Sequence, residues 1–332
     1  MNAILKSLAA LSLASTLMAG TADAADPINF GIISTESQQN LRTHWEPFLA
    51  DMEKQTGLEV KPFFASDYAG VIEGMRFGKV QMGWFGNKSA MEAVDRAKGE
   101  IFAQTVPESG EAGYYSVILA PKSSPINSLD DLLKCDQSLN FGLGDVNSTS
   151  GYLVPMTFVF SAKGIDPKTC FKNVTNANHE TNAMGVANGQ LDAAANNTEN
   201  MALIEKNQPA AFEKLKIVWK SPLIPSDPIV WSADLPAETK EKVKTFFLTY
   251  GTPQSKGDVA EEKKVLSGLQ WAPFRASTDD QLLPIRVMET SKSIAQTQSD
   301  TKLSADEKAA KLKDLQARKA AYETKLASMP QG

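Results

Sequence analysis

From Ile28 onward, short apolar runs alternate with segments whose apolar residues recur at helical spacing, which is the pattern of an α/β protein. Residues 28–34 predict a first strand. The polar turn Thr35-Glu36-Ser37 then opens a segment in which Leu41, Trp45, Phe48, Leu49 and Met52 share one helical face, ending near Gly57. Extended segments are predicted at 58–65 and 81–85, and helices at 68–77 and 89–98. An apolar strand over 114–120 leads into Pro121-Lys122-Ser123-Ser124-Pro125, whose composition marks a change of unit. A second set follows, with helices at 128–133, about 150–163, 182–187 and 199–207, strands at 139–143 and 191–195, and an extended run near Val174. The runs 217–223 and 225–231 read as a return to the first unit, closed by a helix at 237–249. Two lobes joined by two crossings leave a cleft where ligands are expected.

Both ends of the chain depart from this alternation. The single basic residue Lys6, the apolar run from Leu8 to Ala19 and the small residues Ala22-Asp23-Ala24 predict an export signal cleaved after Ala24. A membrane anchor is the alternative, but the run is shorter than the roughly 20 apolar residues of a bilayer span. At the other end, Ser304 and Glu307 form a capping box, and the helix they open carries Leu312, Leu315, Tyr322 and Leu326 along a narrow apolar seam. That seam is expected either to pack on the chain itself or to form a homodimer contact.

The 332 residues suit about two domains. A net charge of −5 without a basic cluster argues against a nucleic-acid partner. Cys135 and Cys170 are the two cysteines; export to an oxidising compartment makes a disulfide between them one reading, with two buried free thiols as the other. With His44 and His179 the only histidines, no metal site and no cofactor are expected.

The segment Gly142-Leu143-Gly144-Asp145-Val146-Asn147-Ser148-Thr149-Ser150-Gly151 runs from a strand into a helix. Ser148, Thr149 and Ser150 at that helix start predict an anion site, because hydroxyls, unpaired backbone N–H groups and the positive end of the helix dipole converge there. Capping alone would need one hydroxyl, and Gly144 with Gly151 would let a ligand approach the backbone closely. His179 follows an extended run and could donate to the same anion and tune binding with pH. Glu199 and Asp227 stand at strand-to-loop junctions. Singly they read as a first-turn helix residue and a turn former; together they could clamp an ammonium, selecting a zwitterion over free sulfate or phosphate. Tyr68 and Tyr114 could close over the ligand from the other lobe or could simply be packing residues. No nucleophile or metal stands beside the acids, so no catalytic residue and no enzyme is expected.

Through Asn29-Phe30-Gly31-Ile32-Ile33-Ser34-Thr35-Glu36-Ser37, Asn147-Ser148-Thr149-Ser150-Gly151, His179-Glu180-Thr181-Asn182 and Trp271-Ala272-Pro273-Phe274-Arg275, the chain resembles the periplasmic phosphonate-binding proteins of ABC importers. The resemblance covers both lobes and implies a two-lobe α/β fold of the periplasmic-binding-protein type II class. From the chain's own pattern the lobes are expected at residues 25–116 with 226–282 and at 117–225, with a helical extension at 283–332 that resembles the family only in being helical, and with hinge motion near Ser116 and Asp227. The resemblance further implies an alkylphosphonate ligand, 2-aminoethylphosphonate being preferred, and delivery to a membrane permease. In that comparison Ser148, Thr149, Ser150, His179 and Tyr114 hold the phosphonate, while Glu199, Asp227 and Tyr68 meet the amine. A receptor for phosphate, phosphite or another oxyanion is the nearest alternative, and a secreted phosphoester or phosphonate hydrolase the alternative from another class.

Overall fold

Near-continuous Ile, Val, Phe and Ala runs form the strands because both faces of each sheet are covered by helices. The computed structural model describes residues 27–329, so the expected export signal lies outside the described residues. In chain order the strands are β1 (Ile28–Ile32), β2 (Val60–Phe64), β3 (Met82–Trp84), β4 (Gly99–Pro107), β5 (Gly113–Tyr114), β6 (Ser116–Pro121), β7 (Asn140–Leu143), β8 (Asn173–Asn176), β9 (Ala193–Asn197), β10 (Leu215–Lys220), β11 (Ile224–Pro225), β12 (Pro228–Ser232) and β13 (Trp271–Ala276). One sheet has the order β13-β4-β12-β3-β1-β2 and the other β10-β6-β9-β7-β8. Such two-sheet α/β architecture with two chain crossings is the type II binding-protein fold. The crossings run side by side: β5 and β11 pair as an antiparallel ribbon, with Tyr114 opposite Ile224 and Gly113 opposite Pro225.

The first helix, Gln38–Thr56, buries Leu41, Trp45, Phe48, Leu49 and Met52, the face read from the sequence, and stops where Gly57 adopts the left-handed conformation (φ 68°). Its aromatic residues join Phe30, Phe246, Phe247, Tyr250 and Phe274 in the core of the first lobe. A smaller core around Phe141, Phe160 and Phe171 fills one side of the second sheet. There Cys135 and Cys170 are joined in a disulfide, tying together the approaches to the neighbouring parallel strands β7 and β8.

Several elements differ from the sequence reading. Residues 215–220 are not part of the return crossing but form β10, paired with β6; as an edge strand it leaves Ile217 49% exposed, which blurs its apolar signal. Strands β4 and β13 and the helix Val259–Gly268 were not foreseen. Pro273 within β13 argues against a strand, and the register there shifts between Ala272 and Arg275. His179 does not end a strand. It is the first residue of the helix His179–Ala187, because the Asn178 side chain accepts from the Thr181 N–H at 2.8 Å and starts the helix early.

The helix opened by Ser148 winds wider than an α-helix, with the N–H groups of Leu153 and Val154 reaching carbonyls five residues back at Ser148 and Thr149. Pro155 explains part of this. Lacking an N–H, it leaves the Gly151 carbonyl without its usual helical donor, and the Gly144 N–H takes that place at 2.7 Å. A Cβ on Gly144 would lie 2.6 Å from Gly151 Cα, so the two glycines serve this strand-to-helix contact rather than access for a ligand.

Beyond the second sheet, Leu283–Ser299 and Ala305–Ala327 form a helical hairpin. The capping box at Ser304 and Glu307 is present, and Leu315 is buried between the helices. Leu312, Tyr322 and Leu326 are half-buried, so the seam packs in part on the chain itself. Arg286 fastens the hairpin to the first lobe through two hydrogen bonds to Asp95 (2.6 and 2.8 Å).

Candidate ligand-binding site

All eight residues expected to meet ligand line one cavity of about 60 Å³ between the two sheets. A single water needs roughly 10–15 Å³ on the same scale, so the cavity suits a body of about four to six water volumes.

Ser148, Thr149 and Ser150 occupy one end and are each about 2% exposed. Every one of their hydroxyl oxygens already accepts an N–H: Ser148 Oγ from the Gly151 backbone (3.0 Å), Thr149 Oγ1 from the Lys88 backbone (2.8 Å), and Ser150 Oγ from the Asn197 side chain (3.1 Å). A hydroxyl carries one hydrogen, and with its oxygen engaged as acceptor that hydrogen is left to donate. Capping and anion binding are therefore not alternatives here, since the capping oxygen of Ser148 still has an O–H. The first amides of the helix, at Thr149 and Ser150, have no intrahelical acceptor, as at any helix start. Together these groups can offer a ligand three hydroxyl and two amide hydrogens.

His179 adds one more, by an arrangement the sequence did not reveal. Asn197 Oδ1 accepts the Asn200 N–H at 2.7 Å, which fixes the amide so that Nδ2 faces Ser150 Oγ and, at 3.2 Å, His179 Nε2. Nε2 is thus an acceptor, and the ring hydrogen must sit on Nδ1. That Nδ1 is buried without a partner. Burial lowers the His179 pKa to about 4, so the ring is neutral at ordinary pH. In the ligand-free protein the imidazole is therefore a neutral donor between about pH 5 and 8.

Acids occupy the other end. Asp227, 5% exposed, lies at the return crossing, where its carbonyl accepts from the Thr105 N–H and its Oδ1 accepts from the Tyr114 hydroxyl at 2.9 Å. Glu199 stands in the first turn of the helix Thr198–Asn207, and its Oε1 is buried without a partner. Burial raises the Glu199 pKa to about 7, with the Trp271 indole offsetting a little. Burial, and then the neighbouring Glu199, push Asp227 well above the usual carboxylate range. The nearby Trp84 N–H moderates this without forming a hydrogen bond, since it has no partner within reach. Two buried acids that resist ionising side by side provide a place for a cation.

The tyrosines fall differently from their expected assignment. Tyr114, expected with the phosphonate, donates its hydroxyl hydrogen to Asp227 and belongs to the acidic end. Tyr68, expected with the amine, is buried in the cavity wall with its backbone N–H donating to Asp145 Oδ2 and with Ser148 and Asp227 nearby, so it stands between the two ends. Burial raises both phenols, which stay protonated.

Sequence reasoning missed Asn197, Trp45, Trp84 and Trp271. The three indoles form a contiguous wall, with ring centroids 5.4–5.6 Å apart, against which an alkyl chain or ammonium can lie. Among the described residues, no group of three or more His, Cys, Asp or Glu is arranged to hold a metal.

A cleft of this kind, with donors facing acids between two α/β lobes, has counterparts. Residues 30–282 match the family of periplasmic substrate-binding proteins of phosphonate ABC transporters. The chain belongs to this family. It is a periplasmic substrate-binding protein of an ABC importer, of the phosphonate-binding kind. It is 54% identical over 291 residues to the phosphonates-binding periplasmic protein of Escherichia coli, covering 87% of this chain and 84% of that one. A phosphate-import protein of Mycolicibacterium smegmatis is 32% identical over 233 residues, 67% of this chain and 71% of that one. The crystal structure of a binding protein component of an ABC phosphonate transporter from Pseudomonas aeruginosa superposes with a TM-score of 0.86 at 55% identity, covering 91% of this chain and 98% of that one. These relatives are named as binding and import proteins, not as enzymes.

Proposed function

We propose that this binding protein captures 2-aminoethylphosphonate and passes it to a membrane permease. One observation carries the reading: among the buried polar atoms without hydrogen-bond partners on residues lining this cavity are a donor, His179 Nδ1, and an acid oxygen, Glu199 Oε1, beside Trp84 Nε1, Glu36 Oε2 and Asn200 Oδ1. An unsatisfied buried polar group costs about 1–3 kcal/mol, so both ends gain when a ligand of matching polarity enters. The phosphonate oxygens accept from Ser148, Thr149, Ser150 and His179. The ammonium meets Glu199 and Asp227, with the tryptophan wall beside it.

Phosphate import is the second reading, supported by the name of the Mycolicibacterium smegmatis relative. The acids weigh against it, because a ligand without a cation leaves both carboxyls to bear either burial or mutual repulsion. Titration calorimetry with 2-aminoethylphosphonate, methylphosphonate and inorganic phosphate separates the readings. The expected order of affinity is the order just given. Tight phosphate binding with no response to the aminophosphonate would refute the zwitterion. N-terminal sequencing of the exported protein is expected to begin at Ala25.

A further inference from the structure

Three helices of the first lobe begin at the cleft, and each has an N-terminal N–H answered by an oxygen of the second lobe. At the helix Gln38–Thr56, the N-cap Ser37 accepts from the Asn40 N–H at 3.2 Å, which is half of a capping box. The position where Glu would complete the box is Asn40. The missing carboxylate comes from across the cleft: Glu180 Oε2 accepts the Ser37 N–H at 2.8 Å and Oε1 accepts Asn40 Nδ2 at 2.7 Å. At the helix Tyr68–Arg76, the Tyr68 N–H donates to Asp145 Oδ2 at 3.1 Å. At the helix Asn87–Arg96, the N-cap Gly86 offers no side-chain oxygen, and the Lys88 N–H donates to Thr149 Oγ1 instead.

Neither Glu180 nor Asp145 is among the residues lining the cavity. Both are held ready by their own lobe: Gln208 Nε2 donates to Glu180 Oε1 at 3.2 Å, and the Asn147 N–H donates to Asp145 Oδ1 at 2.7 Å. Each places a carboxylate at the positive end of a helix dipole. Glu180 directly follows His179, so the helical turn that faces ligand also carries the bridge.

We propose that Glu180 and Asp145 are positioning residues that cap first-lobe helices from the second lobe and thereby set how long the closed, loaded form lasts. In an open cleft the backbone N–H groups of Ser37 and Tyr68 have only water as acceptor, since the own-lobe caps Ser37 Oγ and Asp67 Oδ1 take other N–H groups; on closure each gains a fixed one. The sequence has left the box at Ser37 incomplete on its own lobe, which makes its completion a property of the closed form.

This inference rests on the reading that ligand occupies the cavity. The test is stopped-flow release of 2-aminoethylphosphonate and of methylphosphonate from the wild type, Glu180→Ala, Asp145→Ala and the double variant. Losing an N-cap contact corresponds to roughly two- to thirtyfold in an equilibrium, so release is expected to quicken by about that factor at each site. Association should change less than about threefold. Both ligands should be affected by the same factor, because the contacts lie outside the cavity, and Glu180→Gln, whose amide oxygen still accepts, should recover part of the rate. Release of both ligands from the double variant at wild-type rates would overturn the proposal while leaving the ligand reading intact, and acceleration for the aminophosphonate alone would overturn it by placing these charges in ligand recognition. If the wild type bound neither ligand, the reading and the inference would fall together.

Discussion

Glu199→Gln separates amine recognition from everything else in the cavity. The substitution keeps the shape of the side chain and removes one of the three buried acids lining the cavity, Glu36, Glu199 and Asp227, leaving Asp227 to meet the ammonium. Removing one member of a buried, hydrogen-bonded charge pair costs about 2–5 kcal/mol, and the surviving Asp227 puts this case at the lower end. A loss of about 2–3 kcal/mol corresponds to a 2-aminoethylphosphonate complex weaker by roughly 30- to 150-fold. Methylphosphonate, which brings no cation, should change less than about threefold. The free protein responds in the opposite direction. With no acid beside it, Asp227 loses the repulsion that adds to its raised pKa, so the ligand-free melting temperature at pH 7.5 should rise. Calorimetry with both ligands and a thermal scan without ligand measure all three quantities. Equal losses for the two ligands, or a lower melting temperature with unchanged aminophosphonate affinity, would refute the reasoning.

The same pair predicts a proton balance. Glu199 has a pKa of about 7 in the free protein, above its ordinary value near 4.5, so its ionisation costs stability that is lost progressively as pH rises from about 4.5 to 7. An ammonium holds the acid ionised, so at pH 6.5 binding of 2-aminoethylphosphonate should release more protons from the wild type than from Glu199→Gln, a difference given by heats measured in buffers of different ionisation enthalpy with one and the same ligand. His179→Phe should weaken both ligands alike, by about tenfold or more for a lost donor to a charged oxygen, and should leave the pH dependence between 5 and 8 unchanged because the ring is neutral there. Equal binding by this variant would contradict the Nδ1 donor. Replacing Cys135 and Cys170 by Ser opens a link across 35 residues and should cost about 3–4 kcal/mol by chain entropy, read as a lower denaturation midpoint with affinity preserved.

Much of the site could be read from sequence where the chemistry was local. Ser148-Thr149-Ser150 stands out because hydroxyls crowd a strand-to-helix boundary, and the face of Gln38–Thr56 is visible because five large apolar residues keep helical spacing. Asn197 did not stand out. In the run Asn196-Asn197-Thr198 it reads as an N-cap, which it is, and nothing local says that its amide also reaches Ser150 and His179. Trp84 and Trp271 look like core residues because most of each ring is core. The bridge from Glu180 to Ser37 joins residues 143 apart, beyond any periodicity. Sequence reasoning places Tyr114 in the cavity but with the phosphonate, since nothing local shows that its partner Asp227 comes from the other crossing.

On the proposed reading, that last pairing would make the ribbon between the lobes a sensing element. Tyr114 lies on one strand of the ribbon joining the lobes, and Asp227 follows the other strand closely. Because the strands are hydrogen-bonded to each other, the two crossings must flex as one leaf rather than as two independent strings. A cation that engages Asp227 acts on this leaf directly, whereas a ligand without an amine touches only the plates on either side. Ligands of equal affinity can therefore differ in how stiffly they hold the lobes, and a permease that reads the angle between lobes would rank them by their tails.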